Sequence, residues 1–440
     1  MKLHDAATLD LPKKLQQLVV STAAQMYEAL YEGEMTVAQA EERLVEISRE
    51  MGRDVLSAGL SERYGKQTGP RRPCDCGGHQ RLVGYRPTTV MTLLGPVEYR
   101  RAYYHCPLCK TGHYMGDDAI AVGQCGCSLP AQEAISLASC ELPFESAREL
   151  LARLTGLDVS ASHARTVTEE HGNRLEQEAL AQREALFGGE LELLPEEVPD
   201  RLYVTLDGLK MLFVDDWHET KIGAVYEAKV GADGIDEPVA ATYVCGAWEG
   251  PEQFGKRLYQ EAAGRGAELA GELVVIGDGA PWIWNLVAEH FAGAVQILDW
   301  YHAIERLHEV ARAVYGEGTE RARDWVEANK ERLWQGRVDN VLRSLRALRA
   351  PPGERREAVR RAVGYFDSNR RRMDYPSYRA RGCHVGSGVV EAACKTVAAA
   401  RCKRSGMRWS KDGSQAVLTL RCLLLNARWD HYWKPLKAVA

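Results

Sequence analysis

No apolar run in the 440-residue sequence approaches membrane-spanning length. Its longest stretches, such as "CLLLNA", fall far short of the roughly 20 residues that a bilayer crossing needs. No basic N-terminal segment leads into an apolar stretch, so no secretory leader is expected. Internal repeats and long low-complexity tracts are missing too, which leaves ordinary globular domains. The net charge is small, −5, with 45% hydrophobic and 27% charged residues. Those values describe a soluble protein, expected in the cytoplasm, with length for two or three domains.

What is present is unevenly placed. From Arg355 to Lys434 there are 18 Lys/Arg against 6 Asp/Glu, a balance of +12, so the rest of the chain carries −17. A basic tail on an acidic protein points to a polyanionic partner or to a solvated helical surface. Twelve cysteines in a cytoplasmic chain suggest metal binding or burial rather than disulfides. Six of them fall between Cys74 and Cys127.

The pattern divides the chain into six segments. Residues 1–66 form a helical arm, with Thr36 and Gln39 spaced as a capping box. Residues 67–128 hold turns and short strands, including a hairpin expected around Gly95-Pro96. Residues 129–190 return to helix. From Arg201 to His302, "RLYVTLDG", "TKIGAVYEAKV" and "PVAATYVCGAW" are strand candidates. A helix near 252–270, the strand "ELVVIGD", a helix near 281–291 and the strand "AVQILDW" come next. That order gives a mixed α/β sheet. Residues 303–382 are a helical insertion, and 383–440 carry a glycine-serine-opened helix and basic C-terminal helices.

Cys74-x-Cys76 and Cys106-x-x-Cys109 are separated by 29 intervening residues, each beside a turn-former. Two such knuckles can close a tetrahedral zinc site of structural type, a zinc-ribbon-like module. His79, His105 and His113 remain alternative ligands. Cys125 and Cys127 form a second pair, read as structural. In "ESARELLARLTGLDVSASHARTVTEEHG" a helix, a turn at Gly156 and a second helix from about Ser160 match a helix-turn-helix or a plain helical hairpin. On the first reading, Ser160, Ser162, His163 and Arg165 would meet DNA.

Three carboxylates stand in costly places. Asp207 and Asp278 end apolar strand runs, and Glu391 sits just inside the helix opened by "GSG". Acids at the ends of buried strands need a compensating cation. Three of them can hold two hard divalent ions, a common arrangement for phosphoryl transfer. Asp215 and Asp216 fall in an expected turn and are set aside. Trp282 and Trp284 are assigned to the core.

The blocks "DGLK", "WHETKIGAVYEAKV", "GDGAPWIWN", "ILDWYHAIERL", "GSGVVEAACK" and "RCKRSGMRWS" occur in this order. Together they resemble bacterial insertion-sequence transposases of the DDE type, most closely the ISKra-type family, over about residues 70–434. The resemblance implies a ribonuclease-H-like core interrupted by a helical insertion, with Asp207, Asp278 and Glu391 as the catalytic triad. It also implies Mg²⁺ (or Mn²⁺) as cofactor, and DNA as substrate, with the element's terminal repeats cleaved and joined to target DNA. A homo-oligomer is expected, since two ends must be paired. Asp299 and His302, in "LDWYH", resemble the acidic/cysteine-x-x-His signature of Mutator-like relatives, which gives His302 a part near the scissile phosphate. Beyond Glu391, the residues Lys395, Arg401, Lys403, Arg404 and Arg408, with Trp409, form an expected DNA-binding track. The competing functions are a nuclease of the same fold without strand transfer, and a non-catalytic zinc-dependent DNA-binding regulator.

Overall fold

The computed structural model describes residues 10–65, 69–116 and 125–439, so the expected boundary at residues 66 and 67 lies outside the described residues. Two compact units are present: residues 1–168 with 430–440, and residues 169–429. Each has its own sheet, and the chain is a mixed α/β protein.

In the first unit, α1 (Asp10–Tyr31) and α2 (Val37–Gly65) precede an antiparallel sheet of order β1-β2-β3-β4. Its strands are β1 (Arg71–Pro73), β2 (His79–Thr92), β3 (Gly95–His105) and β4 (Gly112–Tyr114). The capping box forms: Thr36 N donates to Gln39 Oε1 at 2.9 Å, and Gln39 N to Thr36 Oγ1 at 3.3 Å. α2 lies along β3, held by Arg53 Nη1 to the Leu94 carbonyl (2.7 Å) and Arg100 N to Ser61 Oγ (3.2 Å). The hairpin turn is Leu93-Leu94, one step before the expected Gly95-Pro96. Thr92 fixes it, its hydroxyl donating to the Gly95 carbonyl at 2.8 Å and accepting from Leu94 N at 3.1 Å.

Three further helices come after the sheet: α3 (Leu129–Glu141), α4 (Phe144–Thr155) and α5 (Ala161–Phe187). The first two and the start of α5 share a small core in which Cys125, Cys127, Ile135, Leu151, Leu157 and Val167 are buried. His163 turns into it, with Nε2 3.2 Å from Cys127 Sγ, and Ser160 Oγ caps α5 by accepting from His163 N at 3.1 Å. Of the four residues expected to meet DNA at this helix, Ser160, Ser162 and Arg165 are exposed.

The second unit is built on a five-stranded sheet of order β7-β6-β5-β8-β9. The strands are β5 (Arg201–Leu212), β6 (Trp217–Val230), β7 (Asp236–Ala247), β8 (Glu272–Gly277) and β9 (Val295–Leu298). β5 pairs antiparallel with β6 and parallel with β8, and β8 runs parallel to β9. The run "LYVTL" in β5 is buried throughout, as a central strand covered on both faces demands. Helices α6 (Pro251–Gly264) and α7 (Pro281–His290) each start with proline at the first position, where its missing N–H costs nothing. Leu258, Ile283, Leu286 and Val287 from these helices are buried against Leu202, Val204, Val274 and Ile276. Each such side chain contributes about 1.5–3 kcal/mol.

The expected insertion is helical: α8 (Trp300–Tyr315), α9 (Glu320–Trp334), α10 (Val338–Arg346), α11 (Glu354–Ser368) and α12 (Tyr375–Ala380). It joins the sheet's core through Leu307, Val326, Leu342, Phe366 and Tyr375. α13 (Gly388–Ala393) then passes through a π-helical turn, Cys394–Ala399, into α14 (Ala400–Cys402). α15 (Lys411–Leu425) and α16 (Trp429–Val439) complete the described chain.

Candidate active site

Pairing lengths in the sheet decide where the acids emerge. β5 does not end at Asp207, as expected; it continues to Leu212 against β6. Its pairing with β8 stops at Thr205–Ile276, so Asp207 stands two residues beyond the parallel neighbour. Asp278 comes directly after β8. Gly279, at φ +92, makes the turn into α7, and a Cβ there would lie 2.7 Å from the Tyr365 ring and 3.0 Å from Asn369 Nδ2. Glu391 is the fourth residue of α13, which packs against β5 and β6.

Asp207, Tyr301, His302, Glu305, Glu391, Cys394 and Lys395 line one open cleft of about 450 Å³. Two members of the proposed triad have one oxygen tied down. Asp207 Oδ1 accepts from Gly208 N at 2.7 Å and Asp278 Oδ1 from Ala280 N at 2.8 Å, while Glu391 Oε1 lies 3.2 Å from Ser387 Oγ, whose one proton also faces Asp299. Asp278 is further fixed by the Tyr365 hydroxyl, which donates to its carbonyl at 2.8 Å. The second oxygen of Asp207 meets just the weak thiol donor of Cys394, at 3.7 Å. Burial, and then the repulsion of Asp278, push the Asp207 carboxyl above its ordinary range despite the Gly208 amide and His302. A cation placed among these acids would relieve both costs.

The tightest acid-imidazole group among the described residues is a different one: Asp299, His302 and Glu391, with ligand atoms within 4.8 Å of one another. Its hydrogen bonds argue against a metal there. Asp299 has no exposed side-chain surface and caps α8, with Oδ1 accepting from Tyr301 N at 2.7 Å. Its Oδ2 accepts from His302 Nδ1 at 3.0 Å, from Ser387 N at 3.2 Å and from the Ser387 hydroxyl. Both oxygens are therefore occupied. The Asp299 bond raises the His302 pKa to about 9, with Asp278 and Asp207 adding to it, so the ring is an imidazolium at neutral pH. A protonated ring is a donor and not a ligand. Asp299 holds His302 and, through Ser387, Glu391. The role of Ser387 was invisible in the sequence, where it is one of several residues opening a helix.

The basic track is corrected in two places. Arg401 is 1% exposed and Trp409 is 7% exposed. The Arg401 guanidinium sits 5.0 Å from the Trp409 ring centre, and Trp409 Nε1 donates to the Cys402 carbonyl at 3.0 Å. The Trp409 backbone also extends the sheet, accepting from Val214 N at 3.0 Å and donating to the Leu212 carbonyl at 3.2 Å. Neither residue faces solvent, and a π-helical turn lies between Glu391 and Arg401. One extra residue per turn sets the downstream residues back by about 100° relative to an α-helix. Lys395, Lys403, Arg404 and Arg408 are exposed.

The remaining assignments fall into place. Trp284 is buried beneath the Arg372 guanidinium at 4.2 Å, and Trp282 packs on the core. Asp215 bonds His218 at 2.8 Å in the β5–β6 turn, outside the cleft. In the first unit, the thiols of Cys74, Cys76, Cys106 and Cys109 form a four-cysteine cluster, with Cys74–Cys109 at 3.6 Å and Cys76–Cys106 at 3.7 Å. His79, His105 and His113 are not part of it. The Thr111 hydroxyl and backbone amide draw the Cys109 thiol down to about 6, which favours the thiolate a metal requires. Among the described residues no helix is long and apolar enough to cross a membrane.

Residues 30–430 match the model of one family, described as Uncharacterised protein family (UPF0236). No curated protein matches the chain.

Proposed function

We propose, for a chain that belongs to the uncharacterised protein family UPF0236 and so takes no activity from its family name, that it is a DDE-type DNA transposase. In this reading the second unit is a ribonuclease-H-like core, and the sheet order β7-β6-β5-β8-β9 with its helical insertion supports that assignment. One observation carries the functional reading most. Asp207 and Asp278 each have one oxygen anchored by a backbone amide, Glu391 Oε1 lies beside the Ser387 hydroxyl, and the other oxygen of each has no N–H or O–H donor among the described residues.

Three such carboxylates suit hard divalent ions, Mg²⁺ or Mn²⁺, which prefer oxygen donors. When bound, such ions supply an activated water or 3′-hydroxyl and neutralise charge at the phosphate. The chain's own groups position and polarise. The His302 imidazolium, oriented by Asp299, is a fixed cation for a phosphate oxygen. Lys395, exposed at the cleft, and Lys403, Arg404 and Arg408 beyond it are suited to the DNA backbone. The four-cysteine cluster is read as a structural Zn²⁺ site. Pairing of two element ends calls for a homo-oligomer on DNA.

The test is incubation of the purified chain with Mg²⁺ and DNA carrying the flanking terminal repeats, with products mapped by sequencing. Cleavage at the element ends together with joined products is expected. Metal-dependent hydrolysis without joining of precut ends would reduce the protein to a nuclease. Binding without any cleavage would make it a regulator.

A further inference from the structure

The cysteine knuckles frame a surface that the proposed catalytic site does not use. β2 carries a bulge between Leu82 and Gly84. Arg81 and Arg86 are five residues apart and would point to opposite faces of a regular strand, since side chains alternate. The bulge puts them on the same face. The register extends that face across the sheet: Arg71 opposes Arg81, Arg81 opposes His105, Arg86 opposes Arg101, and Tyr103 opposes Tyr114. Four arginines thus share one side of β1–β3, with like charges directly opposite, an unfavourable pairing in isolation.

Residues 69–116 contain seven Lys/Arg and two acids, Asp75 and Glu98. Glu98 falls on the other face by alternation, and Asp75 lies in the first knuckle. Arg71, Arg81 and Arg86 are exposed, and none has a carboxylate partner among the described residues. The aromatic groups on this face are engaged with one another. Tyr103 and Tyr114 have ring centres 4.6 Å apart, and the Arg101 guanidinium is 4.1 Å from the centre of the Tyr114 ring. Tyr103 lies across Gly112, where a Cβ would meet its hydroxyl at 2.1 Å. The rings brace guanidinium groups; they do not stand free for unstacked bases.

We propose that this face of the four-stranded sheet binds the phosphate backbone of duplex DNA through Arg71, Arg81 and Arg86. The choice of DNA as the polyanion rests on the transposase reading. The choice of duplex over single strand rests on the occupied tyrosine rings.

The experiment is fluorescence anisotropy of the full chain with a labelled duplex of about 30 base pairs and mixed sequence, without divalent cation, over a salt series. Arg81→Gln/Arg86→Gln should weaken binding about tenfold or more at low salt and reduce the salt slope by about 2. Lys229→Gln/Lys330→Gln, with the same change in charge, should leave both unchanged. In the unaltered protein, bound duplex should protect Arg81 and Arg86 from phenylglyoxal, read by mass spectrometry. Parental affinity and slope in the arginine variant, unprotected arginines, or an effect confined to single-stranded DNA or RNA would each overturn the proposal. Asp207→Asn should lose cleavage and keep arginine-dependent binding, so failure of the catalytic site and failure of this surface are told apart.

Discussion

The fully buried Asp299 carboxylate binds His302 Nδ1 at 3.0 Å and also accepts the hydroxyl of Ser387, which in turn touches Glu391 at 3.2 Å. The His302 pKa is raised, so the pair adds stability in full below the ring's ordinary value and loses it as pH rises through about 9. In metal-free Asp299→Asn, NMR titration should show the ring falling from about 9 toward an ordinary histidine value near 6.5. A ring that still titrates near its parental value would show that Asp299 is not the cause.

Asp207→Asn, Asp278→Asn and Glu391→Gln should each lower cleavage by at least about a thousandfold while leaving end binding largely intact. Ser387→Ala, which removes the hydroxyl set between Asp299 and Glu391, should cost about tenfold in rate, and Ser387→Thr should restore part of it. Retained cleavage in any triad variant would remove that residue from the proposed mechanism.

Arg401→Ala should destabilise the protein by about 2–4 kcal/mol, because it empties a buried site beneath Trp409. Lys395→Ala should change stability by less than about 0.5 kcal/mol and weaken DNA affinity. Urea unfolding and anisotropy on the two variants distinguish a structural cation from a surface one. The same behaviour in both would contradict the assignment.

Purified protein should carry about one zinc ion per chain, released by a strong chelator or by Cys74→Ser. Its loss should raise amide exchange in β1–β4 and leave β5–β9 unchanged. Protein prepared without zinc, yet with those strands fully protected, would argue against a structural ion.

His384 bonds the Tyr226 hydroxyl at 2.7 Å and lies against the Tyr203 ring, and burial lowers its pKa to about 4. A depressed histidine favours the fold above its ordinary pKa and loses that contribution as pH falls through the folded value. Stability should fall from about pH 6.5 toward pH 4, with His384 accounting for on the order of 3 kcal/mol. His171, similarly lowered to about 4 by burial, adds to the same slope. Urea midpoints of His384→Gln should depend less on acid than those of the parent; equal dependence would exclude His384 as a source.

The strands and helices of the second unit could be read from apolar runs such as "LYVTL" and "LVVIG", because central strands covered on both faces leave an unbroken signature. Asp207 and Asp278 stood out for the same reason, as charges beside such runs. Apolar patterning ends β5 too early, because it does not show that one neighbour stops pairing before the other. Composition alone leaves Arg401 and Trp409 on the surface track, because it cannot distinguish a solvated arginine from one buried beneath an indole ring. Ser387 carried no signal, since its role depends on Asp299, 88 residues away in sequence.

The π-helical turn between Glu391 and Arg401 makes register a determinant of this region as much as residue identity. Deleting any single residue from Cys394–Ala399 would restore α-helical phase and rotate the downstream segment by about 100°. Arg401 would leave its burial site, and Trp409 would no longer meet the backbone of Leu212 and Val214. A loss of one residue there would therefore be more damaging than most substitutions, although every charge and every aromatic ring beyond it were kept.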